Sequence, residues 1–151
     1  MISVADNVLL SILSRQENDG EKNETEMIAA AQHYIKNGRH YFCYDDDDGD
    51  GNIVRNVMRI SDGRADVMRK SSKKIYMAFK SGEKSITSYP TPAGDMTMLI
   101  STEEVSVRPK AENFGAVIRY GLTLNNVYVG HITLDISAKP TQSFGSAFSG
   151  Q

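Results

Sequence analysis

The sequence predicts an all-β fold, a single antiparallel up-and-down β-barrel of about 8–10 strands. Short stretches of alternating apolar and polar residues recur along the chain, and turn-forming pairs (Asn37-Gly38, Asp62-Gly63, Ser81-Gly82, Asn125-Asn126) separate them. Such pairs tolerate the positive φ angles of type I′ turns, so each is expected to join strands that pair with one another. So many strands in succession exceed what an open, twisted sheet holds comfortably, and closure also removes the unpaired edges. A two-sheet sandwich shares the same alternation and is the alternative.

Taken in order, the first strand is expected from about Val8 to Glu17, and the polar stretch Asn18 to Glu24 turns the chain back. Thr25 to Ile35 is ambiguous, because Met27, Ile28 and Ala29 to Ala31 suit a helix by propensity. Asn37-Gly38 decides for strand, since it would link Ile35 to the β-forming run His40 to Tyr44 as a tight hairpin. In Ile53 to Ile60, Val54, Met58 and Ile60 share a face that Asn56 interrupts, while Arg55 and Arg59 point the other way. After Asp62-Gly63, Ala65, Val67 and Arg69 share one phase. Beyond a linker from Ser71 to Lys74, Ile75, Met77 and Phe79 form the next apolar row. Lys84 to Tyr89 meets Pro90 and Pro92, which lack backbone donors and are expected to stop regular pairing. Met96 to Val107 alternates again. The terminal hairpin sets Ala116, Ile118, Tyr120, Leu122 and Leu124 beside Tyr128, Gly130, Ile132, Leu134 and Ile136, with Arg119, Thr123, His131, Thr133 and Asp135 on the wet side. Lys139 to Gln151 has no periodicity and is expected to be a disordered tail, leaving residues 1–138 as the one domain.

A chain of 151 residues that is 40% hydrophobic can bury a single core without disulfides or a structural metal. Its 17 basic and 19 acidic residues leave a net charge of -2, which gives no long-range attraction for phosphate backbones or anionic lipids. Neither nucleic acid nor a membrane is expected as partner. The single cysteine, Cys43, and the absence of a leader-like pattern in Met1 to Leu13 point to the reducing cytoplasm.

The block Tyr89, Pro90, Thr91, Pro92, Ala93, Gly94 and the alternating strand after it resemble the YwiB-like family of small bacterial β-barrels, whose function is uncharacterised. The Tyr44 strand end with its acidic run, Arg69 after the Asp62-Gly63 hairpin, Met77, Phe79, and Tyr120, Gly121, Leu122 fall in similar order. The resemblance spans roughly Val8 to Ala138. It implies a calycin-like barrel, lipocalin-like in shape, and brings no established activity. Ala93 stands where the family pattern has an aromatic, and Lys70-Ser71 where a glycine is common.

Candidate site residues are few. Arg69 has the phase of the apolar face, where a lone charge must find a partner: either an anionic ligand head group or a plug of one barrel end bonded to backbone carbonyls. Tyr120 shares that phase and offers a hydroxyl to the interior. Tyr89, Thr91 and Gly94 lie in the proline-broken segment and form either a pocket rim or a fixed connection.

Asp46, Asp48, Asp50 and Gly51 match the opening of an EF-hand loop, but Val57 stands where the bidentate Glu belongs, so the run reads as a solvated acidic tip. His33, His40 and His131 read as surface histidines. His33 and His40 approach across their hairpin, with Cys43 near enough to be weighed as a third ligand, but no metal is expected. Glu103 and Glu104, as neighbours on a strand, are expected to face opposite ways. No nucleophile elbow, phosphate loop or dinucleotide fingerprint is present, so neither catalytic residues nor a cofactor are expected.

Two functions of different class fit this pattern. In one, the barrel is non-enzymatic and holds a small amphipathic ligand, with Arg69 and Tyr120 as internal anchors and Tyr89 and Gly94 at the rim. In the other, a solid core supports an outer surface for protein interaction or homodimer formation, for which the Arg55 and Arg59 row and the acidic tip supply opposite charges.

Overall fold

A computed structural model describes residues 5–108 and 113–141. Ten strands follow one another: β1 (Asp6–Asn18), β2 (Glu21–Lys36), β3 (Arg39–Asp47), β4 (Ile53–Ser61), β5 (Arg64–Lys70), β6 (Lys74–Lys80), β7 (Lys84–Thr91), β8 (Gly94–Val107), β9 (Phe114–Leu124) and β10 (Val127–Pro140). They form one antiparallel sheet in the order β6-β5-β4-β3-β2-β1-β10-β9-β8-β7, a meander wrapped into a nearly closed barrel. The first strand pairs with the last, from Val8↔Pro140 to Glu17↔His131, so chain-neighbour pairings and this one closure account for every ladder among the described residues.

Local chemistry explains the hairpins. Asp19-Gly20 (φ 51° and 80°), Asn37-Gly38 (52° and 77°) and Asn125-Asn126 (47° and 67°) are two-residue turns with both central residues left-handed, the type I′ signature. The β1–β2 turn is therefore far tighter than the polar stretch suggested: Glu21 to Glu24 are already strand, paired from Asn18↔Glu21 onward.

Three further expectations are corrected. Ser81-Gly82 does not join a paired hairpin, because β6 and β7 are the two edges of the sheet. The chain there bonds to β8 instead: Gly82 N donates to Thr102 O at 2.9 Å and Thr102 N donates to Glu83 O at 3.0 Å. Pairing also does not stop at the prolines. β7 continues through Pro90↔Asp95 and Thr91↔Gly94, and Pro92-Ala93 form the turn. As β7 is an edge strand, the missing N–H of Pro90 costs no ladder bond. Finally, β10 runs on through Lys139 and Pro140, which pair with Leu9 and Val8, so the barrel passes the expected boundary. The rest of the expected tail, residues 142–151, lies outside the described residues.

One end of the barrel carries the turns at 37–38, 62–63 and 81–83, and the other carries those at 19–20, 48–52, 71–73, 92–93 and 125–126. The first end is closed. Gly63 N donates to Val105 O at 2.8 Å and Ser81 N to Gly63 O at 2.9 Å, tying two turns onto β8 across the β6–β7 seam. Phe42, Phe79, Leu10, Met58, Ile60, Ile100, Ile118 and Ile136 are fully buried and fill the core. Toward the other end the inward residues Ile12, Met27, Ala29, Met77, Met98, Leu122 and Leu134 pack on that core but stay only partly buried.

Two β-bulges break the alternation. At Thr102/Glu104 the extra residue places both Glu103 and Glu104 outside between inward Thr102 and Val105, contrary to the expected opposition. At Tyr128/Gly130 the bulge turns Tyr128 outward, 55% exposed, so it leaves the apolar row that strict alternation assigned it. Gly130 (φ +147°) lies where a Cβ would sit 2.7 Å from the Glu17 carbonyl oxygen. Gly130→Ala should therefore cost about 1–3 kcal/mol in urea unfolding. Gly121→Ala, whose Cβ would meet only a Tyr128 ring atom at 3.8 Å, should be near neutral; equal costs would show that no close approach exists at Gly130.

Candidate functional site

Neighbouring hairpins carry Tyr44, Asn56 and Arg69 onto one inward rung, through the pairs Tyr44↔Asn56 and Asn56↔Arg69. Arg69 Nη1 donates to Asn56 Oδ1 at 2.9 Å, and Nη2 lies 3.5 Å from Asp46 Oδ2. Asn56 is 1% exposed, and its amide donates to the carbonyls of Tyr44 at 3.5 Å and Val54 at 3.4 Å, so a buried polar group is satisfied on each side. Burial raises the Tyr44 phenol above its usual range, and the Arg69 charge partly offsets this. The partners of Arg69 are thus an amide and a carboxylate, not the backbone carbonyls expected of a plug. The Arg69 side chain remains about one-third exposed.

Tyr120 belongs elsewhere in the barrel. It packs against Phe79 with ring centroids 4.9 Å apart, sits opposite Thr102, and has its phenol pushed up to about 12 by burial. It is part of the packed core beneath the partly exposed apolar residues. Tyr89 is half-buried on edge strand β7 opposite Met96. Gly94 is exposed with φ +111° just after the Pro92-Ala93 turn, a position fixed by backbone geometry. Arg69 is therefore brought together with Asn56, Asp46 and Tyr44, which sequence reasoning did not group with it. The signal existed: a two-residue turn at Asp62-Gly63 mirrors Arg69 onto Asn56.

The histidines are also corrected. His33 and His40 are not surface groups: each is about half-buried, and His33 Nε2 and His40 Nδ1 share a hydrogen bond at 2.9 Å. Their rings stack at 5.2 Å beside Phe42 and Phe114. Cys43 cannot join them, because it pairs with Gln32 and Val57 on the outer face. In the acidic loop, Asp48 accepts from Asp50 N at 2.8 Å and from Asn52 Nδ2 at 2.9 Å, and Asp47 accepts from Gly49 N at 2.9 Å. These carboxylates serve their own backbone. Among the described residues no group of three or more His, Cys, Asp or Glu is placed to hold a metal ion.

Two outer clusters went unread in the sequence. Asp66, only 3% exposed, accepts from Arg59 Nε at 2.6 Å and Nη2 at 2.8 Å, with Arg39 at 3.4 Å and the Tyr76 hydroxyl at 3.2 Å. The Asp66 hydrogen bonds raise the Arg59 pKa, so Arg59 is already engaged within the chain and is not a free interaction cation. Around the bulge, Arg119 lies 3.3 Å from Glu103 and 3.6 Å from Glu104, and His131 bonds Glu103 at 3.0 Å. His131 and then Arg119 hold Glu103 below the usual carboxylate range.

Comparison with known proteins places this geometry. The family described as Domain of unknown function (DUF1934) matches residues 10–136. The chain belongs to the DUF1934 family. It is 26% identical over 98 residues to the Uncharacterized beta-barrel protein YwiB of Bacillus subtilis (strain 168), covering 65% of this chain and 68% of that protein. The crystal structure of the ywiB protein from Bacillus subtilis superimposes with a TM-score of 0.75 at 20% identity, covering 92% of this chain and 94% of that one. The likeness shows the barrel fold and agrees with the YwiB-like resemblance. Arg69, Tyr89, Thr91, Gly94 and Tyr120 of this DUF1934 chain lie within the matched span. Among the described residues, no helix is long and apolar enough to cross a membrane.

The His33–His40 pair sets a pH dependence. Burial holds both pKa values below the ordinary 6.5, and for His33 the His40 charge adds to this while Asp6 opposes it. The unfolded chain therefore binds more protons than the folded one once pH falls below about 6.5. The pair's contribution is complete above that pH and declines as pH drops through the depressed folded values. Thermal midpoints should fall over this interval, and His33→Gln with His40→Gln should flatten the decline; an unchanged slope would show that the pair does not titrate with folding.

Proposed function

We propose that this DUF1934 barrel binds one small amphipathic molecule at its open end, without turning it over. A single observation carries the proposal: several inward apolar residues there, Ile12, Met27, Met77, Met98 and Leu122, are only partly buried, while Phe42, Met58, Ile60 and Phe79 toward the opposite end are fully buried. A partly solvated apolar lining with one cation on its wall suits a ligand with an apolar body and an anionic head. Arg69 would meet the head, held in place by Asn56 and Asp46. Tyr120 would form the floor that limits depth, Tyr89 would border the mouth, and Gly94 would shape the rim hairpin. The unpaired Cys43 suits a reducing, cytoplasmic setting.

Native mass spectrometry of freshly purified protein, repeated under denaturing conditions, tests this, with dodecanoate as the added probe. A 1:1 adduct lost on denaturation is expected. Arg69→Met, which keeps most of the stem volume, should weaken dodecanoate binding about tenfold, the worth of one charge-assisted hydrogen bond. A bare mass before and after dodecanoate would overturn the proposal. Should that bare species be a dimer, the alternative of a solid-core interaction module would take its place.

A further inference from the structure

We propose that the half of β2 nearest the open end is a docking edge for an extended, basic polypeptide segment of a partner protein, which adds to the sheet as another strand. The proposal is independent of ligand binding inside the barrel. β2 pairs with β1 from Asp6↔His33 to Asn18↔Glu21, but its ladder with β3 ends at Ala31↔Tyr44. Beyond that rung β3 follows β4, up to Asp47↔Ile53. Among the described residues, 21–30 of β2 are thus strand with a partner on one side only, and no other backbone hydrogen bond reaches them.

Hairpin geometry tells which groups are free. In a two-residue turn the flanking residues Asn18 and Glu21 exchange both backbone bonds, and alternate residues then face away from the partner. Lys22, Glu24, Glu26, Ile28 and Ala30 therefore direct N–H and C=O to the open side. The Asn37-Gly38 turn, whose flanking pair is Lys36↔Arg39, assigns the same parity to the β3 side. The edge spans about 30 Å at a strand's rise per residue. A full barrel would leave no such edge, and a free edge is a template for strand addition.

A cleft of about 1050 Å³ opens where β3 leaves β2, lined by Ile28, Ala30, Cys43, Tyr44, Arg55 and Val57 among others. Ile28 is 57% exposed at its border. Both banks are acidic, with exposed Glu21, Glu24 and Glu26 on β2 and Asp45, Asp47, Asp48 and Asp50 on the β3–β4 tip. Of the nearby cations, Arg15 is already paired with Glu24 at 3.1 Å, which leaves Lys22 and Arg55. This charge disfavours a second copy as the occupant, because antiparallel β2–β2 pairing would set glutamates against glutamates. It favours a segment in which lysine or arginine alternates with small residues.

The experiment uses the intact protein and a fluorescein-labelled ten-residue peptide of alternating Lys and Thr, with a Glu-Thr peptide as control. Fluorescence anisotropy should show binding of the first and none of the second. Ile28→Pro removes a donor from the free side without touching the β1 ladder, so it should leave the thermal midpoint unchanged and weaken binding at least about tenfold. Amide exchange of the parent protein is read in parallel and does not depend on the variant's folding. The amides of Lys22, Glu24, Glu26, Ile28 and Ala30 should exchange fast in the free protein and slow with peptide. Absence of peptide binding, equal binding to a folded Ile28→Pro, or unchanged exchange with peptide bound would overturn the proposal. So would concentration-dependent protection of these amides in the free protein, which would assign the edge to a second copy.

Discussion

The pairing of β1 with β10 is the constraint on which the rest of the barrel depends. Every other ladder joins strands that follow one another in the chain, whereas this one brings Val8 to Pro140 and spans the whole domain. Closing so long a loop carries an entropic cost that grows slowly with length, but it must be met before the barrel interior can be dry. Ile12↔Ile136 and Leu10↔Ala138 lie on this ladder with Leu10 and Ile136 fully buried, so closure and core formation are one event. Local hairpins come readily from their turns; the terminal ladder makes them a barrel.

The seam follows from the same closure. With the termini paired, the edge strands of the sheet meet between β6 and β7, and the structure spans that seam with turns. The bulge at Thr102/Glu104 shifts the second half of β8 by one residue. Val105 then accepts from Gly63 N, and its own N–H donates to Ser81 Oγ at 3.1 Å. Farther along the seam side-chain bonds cross, from Thr87 Oγ1 to Tyr76 O at 2.7 Å and Lys73 Nζ to Pro90 O at 3.1 Å. The well-tied end coincides with the filled core and the looser end with the partly solvated lining.

Much of the architecture was legible because it is written in local chemistry. Left-handed turn pairs and strict alternation located most of the strands, and the inward phase of Arg69 and Tyr120 could be counted from them. Bulges were not legible: Glu103 and Tyr128 sit in runs that alternate acceptably, and only the partner strand shows that one residue is extra. The seam was equally hidden, since Ser81-Gly82 has the chemistry of a hairpin turn and differs only in what its neighbours bond. The surroundings of Arg69 were half visible. The turn at Asp62-Gly63 aligns it with Asn56, but Asp46 and Tyr44 come in through a second hairpin whose irregular loop gives no counting rule. The Asp66 cluster draws on four strands, and no spacing in one chain predicts that.

Thr25 to Ile35, the segment whose sequence argued least clearly for strand, begins inside the stretch of β2 that has only one partner. The two facts have a common cause. Alanines and glutamates are weak strand formers whose preference depends on packing against neighbours on both sides. From Lys22 to Ala30, β2 has such neighbours only on β1, where Leu10↔Ala29 and Ile12↔Met27 supply them. The same composition protects the edge, because exposed glutamates discourage chance pairing with like strands. Where the pairing with β3 resumes, the sequence turns to His33, Tyr34 and Ile35, residues that stack or pair with His40 and Tyr41 across the ladder. Local ambiguity in this chain thus marks the place where the fold itself leaves a strand incomplete.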